Sequence, residues 1–581
     1  MLKNVLLRWR RKFFTLLKRL DSLHKISSFL PGATWLMRFL SFLVYRFLEL
    51  LLGNGHPHTR VTRQARRLPH GSDMSPTPPE TVDVVFYTLR GWFAHATTEA
   101  LLATALQQRQ VTTRFLLCGG VLDQCDFAPP SDPHPTRPLC WRCTGFPSRL
   151  LDGLGLEHHT ASDIVDLAEV QRRAREQVAG LSREDLISFE YGGLPIGRYV
   201  LPSVHRTLLS GTVGTDARSV STLRSFVASA CVMTDVASGL LERSRPRCVV
   251  MTNGLFFAER IMLEMALIQG VRVITYERGI PADTIIVGVN ASVVPFDVEP
   301  YWSRRKGEAL TKGQQATLMK ELAERRSGDT GVQNIWPRME ADGQAITHRA
   351  GLRTDKPLTV LFTNILWDTA VFGMDIAFDG MLDWVATTIH AFKELPEQQL
   401  VIRIHPAEVR LPMEESRDRA GDAIERMFPT LPRNIAVIAA NDPASSYALI
   451  EAADRVLTYA STIGIEAAVR GKQVAVAGDV HYRRRGFTVD VSDRVAYGRM
   501  LGSADTLQPL TENERELAER YSYAFFFEFM RPFPWFTDGG RHSRELSIAS
   551  RSDLAPGKDR MLDDLCELIL GQRELPLPAG R

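Results

Sequence analysis

Two runs of alternating apolar strand and amphipathic helix constrain the fold more than any other feature of this chain. The first run holds "VDVVFYTL" (82–89), a helical spacing over 95–109 and "TTRFLLCGG" (112–120). It resumes with "CVVMTNG" (248–254), "FFAERIMLEMALIQG" (256–270) and "VRVITYERG" (271–279), and the stretch 145–245 between reads as mostly helical. The second run starts at "PLTVLFTN" (357–364) and continues through a helix near 378–394, "LVIRIHP" (400–406), a helix near 414–427 and "NIAVIAA" (434–440). It ends in "SSYALIEAA" (445–453) and "TYASTIGIEAAVRGKQVAVAG" (458–478). Short β-branched strands separated by helices form parallel sheets with right-handed crossovers. The expectation is an α/β chain of two Rossmann-like, doubly wound domains facing a cleft, over 82–345 and 346–505, with a polar segment near 325–355 between the two runs. A chain of 581 residues is long enough for such a division.

Charge separates the N-terminus from the rest. Residues 1–70 hold fourteen of the 70 Lys and Arg but only Asp21 and Glu49 of the 67 acids. The basic character is therefore local, which excludes a nucleic-acid footprint spread over the fold. "MLKNVLLRWRRKFFTLLKRL" clusters its apolar positions on one side of a helix, and "TWLMRFLSFLVYRFLELLL" (34–52) is long enough to span a bilayer. Arg38, Arg46 and Glu49 share one stripe of that second helix. Each charge would cost about 2.5–3.5 kcal/mol at the bilayer centre, so the segment is expected to lie in the interface. Residues 1–52 are thus expected to attach to the anionic cytoplasmic face of a membrane as a peripheral anchor; the alternative is packing on the chain's own body or a second subunit. The segment lacks the small-residue cleavage site of a signal peptide. Residues 53–81, rich in Pro, Gly and polar residues, read as a linker.

Seven cysteines in a chain of this length do not make a disulfide scaffold, and the expected compartment is cytoplasmic. Cys118, Cys125, Cys140 and Cys143 fall in one window, and only the final pair has C-x-x-C spacing. They read as buried or loop thiols, with a small structural zinc site as the alternative.

Ligands of doubly wound sheets bind beyond the carboxyl ends of the strands. In the second run those ends are polar. Asn364 follows the first, with Trp367 and Asp368 close behind; Arg403, His405 and Glu408 surround the next; Ser461, Thr462 and Gly464 follow "VLTYA", with Glu466 one turn into the helix. A helix start preceded by two hydroxyls suits a phosphate, with Gly464 permitting close approach. Arg483, Arg484 and Arg485 in "HYRRRGFT" could neutralise phosphate charge. His405 could donate to a phosphate or base, and Glu466 could accept from ribose or sugar hydroxyls. Singly, Ser461 reads as a helix cap, Glu466 as a solvated helix face and His405 as a satisfied strand end. In the first run, His95, Asn253-Gly254 and Glu277-Arg278 follow strands. Glu277 or His95 is the candidate general base, and Trp92 and Phe93 could stack on a sugar ring or anchor the fold.

The segments "VLFTNILWDTAVFG", "LVIRIHPAE" and "TYASTIGIEAAVRGKQVAVAGDVHYRRRGFT", with "TNGLFFAERIMLEMALIQGVRVITYERG", resemble the capsule polysaccharide biosynthesis family, glycosyltransferase-like proteins of GT-B fold. The His-Pro pair at 405–406 and the Ser-Thr pair at 461–462 are similar to the nucleotide-binding motifs of bacterial sialyl- and Kdo-transferases, which use CMP-sugars. The sialyltransferases also carry an acidic-acidic-Gly motif in their first domain; here only "FDG" (378–380) occurs, in the other half. The resemblance implies transfer of a sugar from a nucleotide-sugar donor, in particular a CMP-linked one, to a capsular or lipid-linked glycan acceptor at the inner membrane. Other capsule assembly proteins are implied as partners. Asn364, Arg403, His405, Ser461, Thr462, Gly464, Glu466, Arg483 and Arg485 would hold the donor, with Glu277, His95 and His405 catalytic. The second half shows no Asp-x-Asp pair at a strand end, so no cofactor or metal is expected in catalysis. A nucleotide-sugar epimerase and a non-catalytic glycan-binding assembly or export partner are the alternatives. The segment 506–581, with "RYSYAFFFEFMRPFPWF", is expected to be a helical tail bracing the other domain, or else to present a membrane-facing aromatic patch.

Overall fold

A computed structural model of the chain describes residues 57–68, 82–126, 137–327, 339–410, 416–538 and 544–577. The amphipathic segment expected over 1–52 lies outside the described residues. The first sheet holds β1 (Val84–Thr88), β2 (Thr113–Leu117), β3 (His158–Thr160), β4 (Cys248–Thr252), β5 (Arg272–Arg278) and β6 (Thr284–Val289). The second holds β7 (Leu358–Phe362), β8 (Gln399–Arg403), β9 (Ile435–Ile438), β10 (Arg455–Thr458), β11 (Gln473–Val476) and β12 (Val489–Asp490). Beyond them run β13 (Arg531–Pro532), β14 (Phe536–Asp538) and β15 (Arg544–Leu546).

The second sheet is all parallel in the order β12-β11-β10-β7-β8-β9; the first runs β13-β6-β5-β4-β1-β2-β3, with β6 antiparallel to both of its neighbours. The chain winds outward both ways from β7 and β10 in one sheet and from β1 and β4 in the other. A crevice opens at each such switch point.

Alternate residues of each strand enter opposite cores, the consequence of a two-residue side-chain period in a sheet covered on both faces. Val85, Tyr87, Val249 and Met251 face one core, and Val84, Phe86, Cys248 and Val250 the other. The second sheet divides Val360, Val456 and Val474 from Leu361, Leu457 and Ala475 in the same way. The helix Ala217–Ser244 is long and apolar enough to cross a membrane, but most of it is buried in the first of these cores. The sheet topology agrees with the expected α/β class of two doubly wound domains.

Three boundaries differ from expectation. The linker reading fails at the helix Pro57–Arg67, where Val61, Ala65 and Leu68 form a buried stripe against the helix Arg137–Leu154. That i, i+4, i+7 spacing was masked by the surrounding arginines. The domain boundary at 345 falls late, because Trp302, Leu318 and Leu322 share a core with Val360 and Val456. The tail is not wholly helical. It leaves the second domain through the helix Glu512–Tyr523, adds β13 to the first sheet, and forms the β14–β15 hairpin. Its helix Arg560–Ile569 then buries Leu562, Leu565 and Leu568 beside Phe86. It braces the other domain as expected, and Phe525, Phe526 and Phe529 are buried, not presented to a membrane.

Candidate functional site

A pocket of about 490 Å³ opens at the switch point of the second sheet, lined by residues following β7, β8 and β10. Thr363 follows β7, and its Oγ1 accepts the His405 backbone N–H at 2.9 Å. The Ala407 N–H donates to His405 Nδ1 at 3.2 Å, which leaves the proton of the neutral ring on Nε2. Burial lowers the pKa of this imidazole, helped by Arg403 and opposed by Asp368. His405 therefore enters the pocket as a neutral N–H donor. Ser461 and Thr462 line the same pocket with Ser445, Ser446 and Tyr447. The Thr462 side chain makes no capping hydrogen bond.

Glu466 forms part of the wall and is not solvated. Arg325 Nε and Nη2 both reach its Oε1, at 3.0 and 2.9 Å, while its buried Oε2 makes no hydrogen bond. Arg325 lies on the helix Lys312–Ser327, with its guanidinium over the Phe526 ring at 5.2 Å. Arg326, on the same helix, lines the pocket beside it. Sequence reading missed this pair. Two arginines at the end of a polar helix look like an ordinary solvated C-terminus, and only the tertiary fold brings them to the 461–466 turn.

The other expected donor-binding residues have structural partners. A Cβ on Gly464 would stand 2.3 Å from Tyr482 Oη, so this glycine makes room for the tyrosine. That hydroxyl also donates to Ser461 O at 2.6 Å. Arg403 caps the carbonyls of Ala439, Asp442 and Ala444 from the pocket wall. Asn364 Oδ1 accepts the Ala460 N–H at 3.2 Å and ties β7 to the end of β10. Arg483 is buried against the Gly478 and Val491 carbonyls. Arg485 pairs with Glu299, and Arg484 with Asp479 at 3.3 Å. The arginine triplet thus organises its own loop and ties it to the helix Glu299–Arg305, and the pocket's cations come from Arg325, Arg326 and Arg403.

At the switch point of the first sheet, the two alternative bases prove to be partners. His95 Nε2 lies 2.8 Å from Glu277 Oε1; Asn253 Nδ2 reaches Oε2 at 2.8 Å, and the Arg278 N–H donates to Oε1 at 2.8 Å. Burial would raise the Glu277 pKa, but the neighbouring His95 imidazole and these hydrogen bonds hold it down at about 2. Glu277 therefore stays ionised and orients His95, whose Nδ1 is then the ring's accepting atom. Below them Glu99 is pushed up to about 7 by burial, against hydrogen bonds from Thr88 and Tyr276. Trp92 is half-buried, its ring 5.1 Å from His95; Phe93 is buried and anchors the fold.

The two crevices meet. Leu209 of the first domain packs with Ile365, Trp367 and Ala407 of the second, and its carbonyl accepts the Arg417 N–H at 2.9 Å. Asp368 acts electrostatically on both His405 and Arg206.

The zinc alternative does not fit. Cys118, Cys125, Cys140 and Cys143 do converge on one cavity, of about 30 Å³. Yet among the described residues no three His, Cys, Asp or Glu side chains stand together as a metal site. Burial pushes the Cys143 thiol up to about 12 and raises Cys118 and Cys140, and Cys143 Sγ accepts the Gly91 N–H at 3.1 Å. Cys118, Cys140 and Cys143 are thus protonated thiols, and Cys143 seats the loop that leads to His95.

Residues 331–498 match a family model described as Capsule polysaccharide biosynthesis protein. No curated protein matches the chain. Among solved structures, KpsC beta Kdo 2,4 transferase of Thermosulfurimonas dismutans is 15% identical, with 54% of this chain and 88% of that one covered and a TM-score of 0.33. The beta Kdo 2,7 transferase of the same KpsC is 16% identical, covering 53% and 85%, with a TM-score of 0.32. UDP-GlcNAc 2-epimerase from Neisseria meningitidis, bound to UDP-GlcNAc, is 10% identical, covering 77% and 96%, with a TM-score of 0.24.

Proposed function

We propose that the chain is a glycosyltransferase of capsule or surface polysaccharide synthesis, taking a nucleotide-sugar donor in the second domain and a glycan acceptor in the first. The observation that carries this reading is the convergence of a neutral His405 among hydroxyls in one crevice with an oriented His95–Glu277 pair in the other. The match of residues 331–498 to the capsule family model supports the same class.

In this mechanism the acceptor hydroxyl attacks the anomeric carbon of the donor as its proton passes to His95 Nδ1. The bond from that carbon to the phosphate oxygen breaks, and the nucleotide leaves with the electron pair. His405 Nε2–H, the Ser461 and Thr462 hydroxyls and Arg326 stabilise the developing charge, the task that dominates such transfers. Glu277 stabilises the imidazolium formed at His95. No metal is invoked, because histidine and arginine supply the compensation. The nucleotide is proposed to be CMP, on the likeness of the 405–406 and 461–462 pairs to CMP-sugar enzymes. Residues 1–52 would tether the catalyst, as a peripheral protein, to the cytoplasmic face of the inner membrane and raise the effective concentration of a lipid-linked acceptor.

A thermal-shift panel of CMP, UDP and GDP on wild type and His405→Ala tests the donor site. One nucleotide should stabilise wild type and fail on the variant; no shift from any nucleotide sinks the reading. Nucleotide release that requires added acceptor separates a transferase from an epimerase.

A further inference from the structure

Arg206 is a half-buried cation that makes no hydrogen bond or ion pair among the described residues, and its Nε is buried without a partner. Several other arginines of the two crevices are engaged. Arg90 bridges Asp126 and Glu259, Arg278 pairs with Asp538, Arg325 holds Glu466, and Arg403 caps carbonyls. Leaving a guanidinium partly desolvated and unpaired costs stability unless something else supplies the counter-charge.

Its position indicates what that is. Arg206 lies on the helix Leu201–Leu208, whose C-cap Leu209 packs with Ile365, Trp367 and Ala407. Ala407 is the residue whose amide fixes His405. On the other side the guanidinium stands 5.9 Å from the Phe256 ring, which packs edge-on against Trp92 at 5.7 Å, and Trp92 adjoins His95. One turn of helix therefore carries Arg206 between the two histidines, at the seam of the domains. Asp126, Asp368 and Glu277 act on it electrostatically from around the seam and Arg90 opposes them, but none of the three carboxylates makes an ion pair with it.

We propose that Arg206 is the binding residue for an oxyanion of the ligand held across this seam, a sugar carboxylate or a phosphate. The inference deepens the transferase reading and rests on it for the seam being a ligand site, but binding is read directly and needs no turnover. A guanidinium fork holds a carboxylate through two parallel hydrogen bonds, whereas a lysine can replace it toward a phosphate as a point charge.

The test is titration of the full chain with D-glucuronate, inorganic phosphate and, as the neutral control, D-glucose, at matched ionic strength, followed by calorimetry and thermal shift. Wild type should bind at least one anion saturably and not glucose, and Arg206→Gln should weaken that anion at least tenfold. Arg206→Lys distinguishes the sources: glucuronate binding falls while phosphate binding survives. Absence of binding by both anions to wild type overturns the proposal. So does equal affinity in Arg206→Gln with an unchanged unliganded melting temperature. Should Arg206→Gln not fold, undiminished affinity of Arg206→Lys for glucuronate, with no phosphate binding to wild type, overturns it as well. Nucleotide stabilisation through His405 reports separately on the transferase reading.

Discussion

His95 Nε2 and Glu277 Oε1 lie 2.8 Å apart, joining the helix after β1 to the end of β5, and Asn253 and the Arg278 amide hold the carboxylate from its other sides. Glu277→Gln keeps the shape but removes the charge that supports an imidazolium. It should lower kcat at least tenfold with little change in KM, and His95→Ala should remove base catalysis worth about 10²–10⁴-fold. A kcat unchanged in both variants would remove the pair from the mechanism.

The same carboxylate sets an acid limit on stability. Its pKa falls from 4.5 to about 2 on folding, so its contribution is complete above 4.5 and is lost as pH falls through 2. Chemical denaturation of wild type and Glu277→Gln between pH 6 and pH 2 should show the two curves converging over that window, an expectation that follows from linkage at about 1.4 kcal/mol per pH unit for one proton. Parallel curves would contradict the assignment.

Gly464→Ala would place a methyl group 2.3 Å from Tyr482 Oη. Overpacking of this kind costs about 1–3 kcal/mol. Tyr482→Phe should recover part of the loss, giving a favourable coupling in a double-mutant cycle measured by urea denaturation. Additive effects would mean the two positions do not touch.

Arg325→Ala strands Glu466 as a buried charge and should destabilise the chain by about 3–5 kcal/mol. Pairing Arg325→Met with Glu466→Gln should restore much of that. A harmless single variant would mean that the ion pair is solvated and Glu466 is no part of the pocket wall.

The four thiols around the 30 Å³ cavity should leave the purified chain free of stoichiometric zinc, and chelation with EDTA should not change transfer. Elemental analysis settles the first; one zinc per chain would overturn the protonated-thiol assignment.

The inner strands of both sheets and their switch points were legible in the sequence because buried parallel strands such as "VLFTN" and "CVVMT" are nearly uniform apolar runs; the edge strands β3, β6, β12 and β13 were not. Their carboxyl ends followed, and with them His95, Glu277, His405 and Ser461. Local pattern could not tell that Gly464 serves Tyr482, that Arg483 turns toward loop carbonyls or that Arg485 turns toward Glu299. A turn's sequence records that glycine or arginine is needed, not which neighbour needs it. Arg325 and Arg206 escaped for the opposite reason. Each sits in an unremarkable helical stretch and acquires meaning only from a tertiary neighbour or from lacking one. The helix Pro57–Arg67 escaped because its apolar stripe consists of one valine, one alanine and one leucine.

β13 completes the edge of the first sheet beside β6, and the helix Arg560–Ile569 closes the core beneath it, although both are encoded after the entire second domain. Long-range closure of this kind is slow, because the intervening chain must be ordered before the contact forms. As the polypeptide leaves the ribosome, the second domain can therefore finish while the first still exposes one face of its sheet. The order of maturation is the reverse of the order of synthesis. A nonsense mutation just after Met530 would keep the aromatic residues packed behind the 461–466 turn and open the domain that emerged first.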